Sequence, residues 1–110
     1  MRFAETAIAG VVVIDVEHFE AERGAFARLQ CPDAFAAAGH PFAPAQTSLS
    51  RNPRTGTLRG MHYQRAPHTE VKLVRAVRGL VFDVALDLRA ASPTYRQWTS
   101  AELSADNARA

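Results

Sequence analysis

The amino-acid sequence predicts an all-β domain, a sandwich or a barrel, with one short helix near residues 32–38. Three observations lead there. Segments rich in Val, Ile, Leu and Phe recur about every ten residues along most of the chain. Turn-forming runs separate them: "EAERG" at 20–24, "RNPRTG" at 51–56 and "RG" at 78–79. Only "CPDAFAAAG" (31–39) has the composition of a helix. With 110 residues the chain makes a single domain, 1–110, large enough for a core but near the small end.

The elements follow in order. "AIAGVVVI" (7–14) is the first long apolar run and reads as a core strand. It is too short to span a membrane, and it has neither the basic cluster nor the small-residue cleavage site of a leader. β-branched residues carry the strand character on through "GVVVIDVEHF" (10–19), and "GAFARLQ" (24–30) returns after the turn. Pro32 stands at a plausible first helical position and Gly39 where a helix stops. After a Pro-bounded loop at 41–44 the remainder reads as strand and turn. Strands are expected at 45–50, 57–64, 71–77, 80–88 and 94–103. The tail "SADNARA" (104–110) is polar and offers no closing element, so by strand count the barrel reads as unfinished, with unpaired edges.

Composition narrows the function. Hydrophobic residues make up 47% and charged residues 22%, the balance of an ordinary globular domain. Thirteen Lys and Arg against eleven Asp and Glu leave a net charge of +2, with no consecutive basic block of the kind that marks a nucleic-acid surface. Neither nucleic acid nor a membrane is an expected partner. The single cysteine, Cys31, has no internal disulfide partner, which fits a reducing cytoplasm.

Chemistry concentrates in "GTLRGMHYQ" (56–64). Strict alternation sets Leu58, Gly60, His62 and Gln64 on one face, with Arg59, Met61 and Tyr63 on the other. Arg59 and His62 reach one site only if the strand bulges, and Gly60 between them is a natural place for a bulge. The plain alternative is an interior histidine beside a surface arginine. Lys72 shares a face with Val74 and Ala76, where burial of an ammonium needs a partner or a ligand. At the end of a strand it can equally snorkel outward. Asp83 and Asp87 fall on one strand face but about 13 Å apart, too far to share a proton, and read as a solvated or salt-bridged face. His18, His40 and His68 have no ligand-like spacing.

"SRNPRTGTLRGMHYQ" (50–64), followed by "HTEVKLVRAVRGLVFDVALDLRAASPTYRQW" (68–98), closely resembles the dTDP-4-dehydrorhamnose 3,5-epimerase family of nucleotide-sugar enzymes. "GVVVIDVEHFEAERGAFARLQC" (10–31) is similar to the family's opening strand pair, and "DAFAAAGHPF" (33–42) to its short helix. The resemblance implies a cupin-like jelly roll, here incomplete, and a homodimer. It also implies a cofactor-free reaction that inverts C3 and C5 of a dTDP-4-keto-6-deoxy sugar. By the same resemblance His62 is the base, and Lys72 a cation that stabilises negative charge on the C4 oxygen. Arg59 holds substrate oxygens, Arg23 pairs with the pyrophosphate, Gln46 contacts nucleotide, and Phe26 packs near the base. The Arg23 and Gln46 regions are implied to act across the dimer interface.

Departures from the family pattern are specific. Ser48 stands where many members place an asparagine, and Arg28 where some place a glutamate. Family members continue into strands bearing a tyrosine that returns the proton and an aspartate that orients the histidine. Tyr63 and Tyr95 do not match that tyrosine's position, and no Asp here matches the aspartate. A non-catalytic sugar-nucleotide-binding or structural module is therefore the competing expectation. A metal-dependent cupin is not, because Gln64 occupies the second ligand position of a His-x-His pair, so no metal is expected.

Overall fold

The computed structural model describes all residues 1–110 and contains six strands and one helix, with the strands paired as three antiparallel hairpins. The first joins β1 (Arg2–Glu5) to β2 (Val12–Asp15), with Phe3 opposite Ile14. The expected strand at 7–14 is thereby corrected, because its first half is a turn. The Thr6 hydroxyl donates to the Val11 carbonyl at 2.8 Å and accepts the Ile8 N–H at 3.2 Å, folding the chain back on itself. Gly10 completes the reversal at φ +86°, where a side chain would be strained. β1 escapes sequence reading because "RFAE" contains no β-branched residue.

β3 (His18–Ala21) and β4 (Gly24–Ala27) form the second hairpin, Phe19 facing Phe26, with only Glu22 and Arg23 at its tip. The helix α1 (Pro32–Ala37) begins at Pro32 after an extended Cys31. It ends where the N–H groups of Gly39 and His40 turn back to the carbonyls of Ala36 and Phe35, at 3.0 and 2.9 Å. Phe35, 4% exposed, meets the Phe3 ring edge-on at 5.0 Å and Phe42 at 5.6 Å. His40 stacks on Phe3, and its Nε2 lies 2.9 Å from Glu5 Oε1. The helix is thus clamped onto β1 by one aromatic cluster and one polar contact.

The third hairpin is the longest. β5 (Leu80–Leu86) pairs with β6 (Trp98–Ser104) from Leu80 opposite Ser104 to Leu86 opposite Trp98. The tail beyond it, expected to close nothing, in fact ties this hairpin to the first. Asn107 Oδ1 accepts the Ser104 and Arg109 N–H groups at 3.0 and 2.9 Å, which turns the chain. Ala110 then exchanges both backbone bonds with Ile14, at 2.7 and 3.0 Å, beside an Arg109–Asp15 ion pair of 2.9 Å. The side chains are polar, but the backbone does the pairing, and polarity of side chains does not report that.

The larger correction lies between the helix and β5. Strands expected at 45–50, 57–64 and 71–77 do not form. Every residue from 43 to 72 is exposed, and one backbone hydrogen bond of good geometry, from the His68 N–H to the Arg65 carbonyl at 2.9 Å, lies within 41–78. Composition and alternation extend a backbone, whereas a strand also needs a ladder partner, and no strand of this chain lies beside these segments. The accessible surface of 9089 Å² accordingly exceeds the approximately 6,000 Å² of a folded 12.0 kDa monomer. The buried apolar core comprises Ile8, Ile14, Val16, Phe35 and Leu103.

Candidate functional site

Two regions carry the residues singled out in the sequence. The first is the β3–β4 hairpin. Its two-residue tip projects Arg23 into solvent, and Phe26 stands 69% exposed across from Phe19. Arg23, Phe26 and Phe19 line one shallow open depression, so a guanidinium and two aromatic faces meet there. Behind it, a groove of about 520 Å³ runs between the hairpin and α1, lined by Phe3, Phe19, Phe26 and Ala34 among others.

The second region is the exposed run 43–72. Arg59 is fixed by its Nε, which donates to Asn52 Oδ1 at 2.7 Å. The Thr57 hydroxyl donates to the Arg54 carbonyl at 2.7 Å and closes the turn "RNPRTG" over the same segment. His62 is exposed; a Cβ added at Gly60 would lie 3.7 Å from its Nδ1, and Gly60 sits at φ +107°. A side chain there would meet the imidazole only at ordinary contact distance, so it is the positive φ that favours glycine at this position. The expected bulge is a glycine kink in an unpaired segment, since there is no ladder to bulge from. Gln46 Nε2 contacts Ser48 Oγ at 3.3 Å. Lys72 Nζ pairs with Glu70 Oε1 at 2.9 Å, both side chains about half exposed, so the outward alternative for Lys72 is the one formed.

The structure brings Arg23 and Phe26 together, and it brings the loop 51–57 onto Arg59. No hydrogen bond or ion pair joins His62, Lys72 and Arg59 to one another, and the histidine held by a carboxylate is His40, on Glu5. No cluster of three or more His, Cys, Asp or Glu side chains forms, and no helix is long and apolar enough to cross a membrane.

The best-built polar cluster was only partly visible in the sequence. Asp87, expected on a solvated or salt-bridged face, is a buried ion-pair acceptor, 3% exposed. Arg89 grips it with Nε at 2.9 Å and Nη2 at 2.8 Å, while the Ser92 and Thr94 hydroxyls donate at 2.6 and 2.7 Å. Its backbone closes the β5–β6 connection through Gln97 and Arg96. The signal was present in "DLRAASPT" (87–94), whose Ser and Thr are the short hydroxyls a buried carboxylate recruits. The Arg89 and Ser92 bonds hold the Asp87 carboxyl well below the usual carboxylate range. A depressed folded-state pKa contributes stability that is complete above the unfolded value near 3.9 and is lost as pH falls through the folded one. Asp87→Asn is expected to lower the urea midpoint at pH 7 and to flatten its fall below about pH 4. Parallel acid profiles for the two proteins would show that the ion pair does not couple to folding. Arg75 is the converse case: its Nε and Nη2 are buried with no hydrogen-bond partner.

Comparison with known proteins gives a consistent outcome. Residues 5–110 match the family model for dTDP-4-dehydrorhamnose 3,5-epimerase. The chain is similar to the dTDP-4-dehydrorhamnose 3,5-epimerase of Pseudomonas aeruginosa, 44% identical over 110 residues, which cover 99% of this chain and 60% of that protein. It is also 42% identical over 104 residues to a dTDP-4-dehydrorhamnose 3-epimerase of Streptomyces niveus, covering 94% of this chain and 50% of that protein. Among solved structures, the Bacillus anthracis dTDP-4-dehydrorhamnose 3,5-epimerase with TDP and PPi bound superposes with a TM-score of 0.94 at 32% identity, over 98% of this chain and 62% of the other. The Legionella pneumophila epimerase in complex with dTDP-4-keto-L-rhamnose gives 0.80 at 33% identity, over 98% and 57%. The three hairpins and helix are thus part of a cupin-like jelly roll. The chain spans about half to three fifths of the length of the curated relatives it matches along nearly its whole length.

Proposed function

The chain belongs to the dTDP-4-dehydrorhamnose 3,5-epimerase family, and from that premise we propose that it carries the base and the nucleotide-binding hairpin of a cofactor-independent isomerase. The substrate is a dTDP-linked 4-keto-6-deoxy sugar, inverted at C3 and C5 in a cytoplasmic biosynthetic route. One observation carries this reading. Both "TLRGMHYQ" and "VKLVRAVRG" lie in a chain that matches the family from residue 5 to 110 and superposes at a TM-score of 0.94 on a relative holding TDP and PPi.

In this reading His62 removes the proton from a carbon flanking the C4 ketone, which is acidic because the resulting enolate spreads its charge onto oxygen. Lys72 stabilises that oxygen, with the substrate displacing Glu70 from the ammonium. Arg59 is pre-positioned: its Nε is held by Asn52, and its two terminal nitrogens remain for sugar oxygens. Arg23 meets the pyrophosphate from the hairpin tip, the exposed Phe26 ring stacks on the base, and Gln46 hydrogen-bonds nucleotide. The homodimer belongs to the same proposal. The resemblance implies it, with the Arg23 and Gln46 regions acting across the interface. Sedimentation as a compact monomer across a wide concentration range would remove the dimer from it.

The activity test joins residues 1–110 to the remaining two fifths of the Pseudomonas aeruginosa relative. Loss of the C3 and C5 proton signals of dTDP-4-keto-6-deoxyglucose in D₂O is followed by NMR. Deuterium wash-in at both carbons is the expected result. Nucleotide binding with no wash-in at either carbon would identify a binding module instead.

A further inference from the structure

Charge is distributed unevenly along this chain. No block of consecutive Lys and Arg exists, yet residues 51–78 hold seven of the thirteen basic residues and one of the eleven acids, Glu70. That segment carries +6, and the rest of the chain −4. Arg51, Arg54 and Arg65 are exposed, and the ion pairs formed by basic side chains use Arg2, Lys72, Arg89 and Arg109 instead. A solvated face ordinarily interleaves the two signs, because like charges on one segment repel and destabilise it. Here the acids are elsewhere.

Two side-chain bonds fix where this charge sits. Asn52, next to Arg51, holds the Arg59 guanidinium at 2.7 Å, and Thr57 holds the Arg54 carbonyl at 2.7 Å. The turn bearing Arg51 and Arg54 is thereby tied to Arg59, three residues before His62. Arg65 stands at the other end of that segment, its Nη2 3.3 Å from the Tyr63 hydroxyl. Cations therefore flank the His62 segment on both sides in sequence, within a stretch exposed throughout.

We propose that Arg51, Arg54 and Arg65 form an electrostatic entry rim that captures the pyrophosphate-bearing substrate at long range, without touching the reacting sugar. This rests on the nucleotide-sugar reading above and adds three residues that it leaves without a role. A sugar nucleotide diphosphate is a dianion, and unpaired cations around an exposed site raise its local concentration and its rate of capture, an effect of about tenfold or more at low salt. The range is set by screening, about 20 Å in 25 mM salt and about 5 Å in 400 mM. Direct contacts are screened far less.

The test is titration calorimetry of the 110-residue chain and its R51Q/R54Q/R65Q variant with dTDP and with inorganic pyrophosphate, from 25 to 400 mM NaCl. At 25 mM the variant is expected to bind dTDP about tenfold more weakly, and at 400 mM the two proteins should converge. A gap that persists at 400 mM would overturn the proposal by making these arginines direct ligands. Equal affinities at every salt concentration would overturn it outright. If dTDP binds no tighter than pyrophosphate, the nucleotide reading fails, while the pyrophosphate curves still decide the rim. Binding of neither ligand would overturn both.

Discussion

Replacing His62 by asparagine, in residues 1–110 joined to the remaining two fifths of the Pseudomonas aeruginosa relative, is expected to slow deuterium wash-in at C3 and C5 by about 10² to 10⁴. Asparagine keeps hydrogen-bonding capacity and a similar volume, but its amide does not accept a proton at neutral pH. The loss should fall on kcat. The proposed nucleotide contacts, Arg23 and Phe26, stand on a separate hairpin, closed by its own ladder from His18–Ala27 to Ala21–Gly24, and the substitution does not touch it. Affinity for dTDP should therefore stay within about threefold, because no contact proposed for the nucleotide is removed. Wash-in at an undiminished rate would transfer the role of base to another residue. A matching loss of dTDP affinity would show that His62 positions the substrate rather than deprotonating it.

Much of the fold was legible in the sequence, and what was not has identifiable causes. The helix was marked by Pro32 and Gly39, local signals that act within one turn. The hairpin β5–β6 was marked by apolar runs either side of a turn, again a local pattern, whereas the run 10–19, expected as one strand, is divided between β2 and β3, and the turn expected at 20–24 narrows to Glu22 and Arg23. The first hairpin was misplaced because one threonine hydroxyl outweighed a run of apolar residues favouring a strand. In 45–77 the pattern predicted strand pairing that does not form. Leu58 at 92% and Val71 at 79% exposure sit where alternation predicts a half-buried face. Pairing is a property of neighbours distant in sequence, and one segment's composition does not contain it. Candidate site residues fared similarly. Spacing alone left His62 and Lys72 each with a plain structural alternative, and the family motif made them candidates. The salt-bridged reading of Asp87 agrees with its Arg89 ion pair, but its burial and its hydroxyl partners were not foreseen, because Ser92 and Thr94 sit in a loop after the strand, out of step with strand periodicity.

The 110-residue chain by itself is expected to turn over dTDP-4-keto-6-deoxyglucose at least about 10⁴ times more slowly than a full-length relative, since orientation of the base and delivery of the proton are each worth about 10² or more. Two features of the structure lead to this. The His62 imidazole stands in solvent with no carboxylate to hold it in one tautomer or direction, whereas His40, which has no proposed catalytic role, is the histidine that has such a partner. Lys72 is 2.9 Å from Glu70 with both side chains about half exposed, so a carboxylate and water each weaken its field at a developing enolate. Inversion further requires a proton delivered to the opposite face, and the resemblance assigns that step to a tyrosine in strands that follow this region in the family. Slow deuterium wash-in can survive, because removal and return on one face need only His62 and water. Net epimerisation needs both faces. The measurement couples the chain to the downstream reductase and follows NADPH oxidation, which reports inverted product alone. Turnover within tenfold of the full-length relative would overturn the expectation and place a replacement acid inside these residues. Tyr63 would then be the first to mutate. It lies one residue from His62, and its hydroxyl accepts a hydrogen bond from Arg65 Nη2 at 3.3 Å.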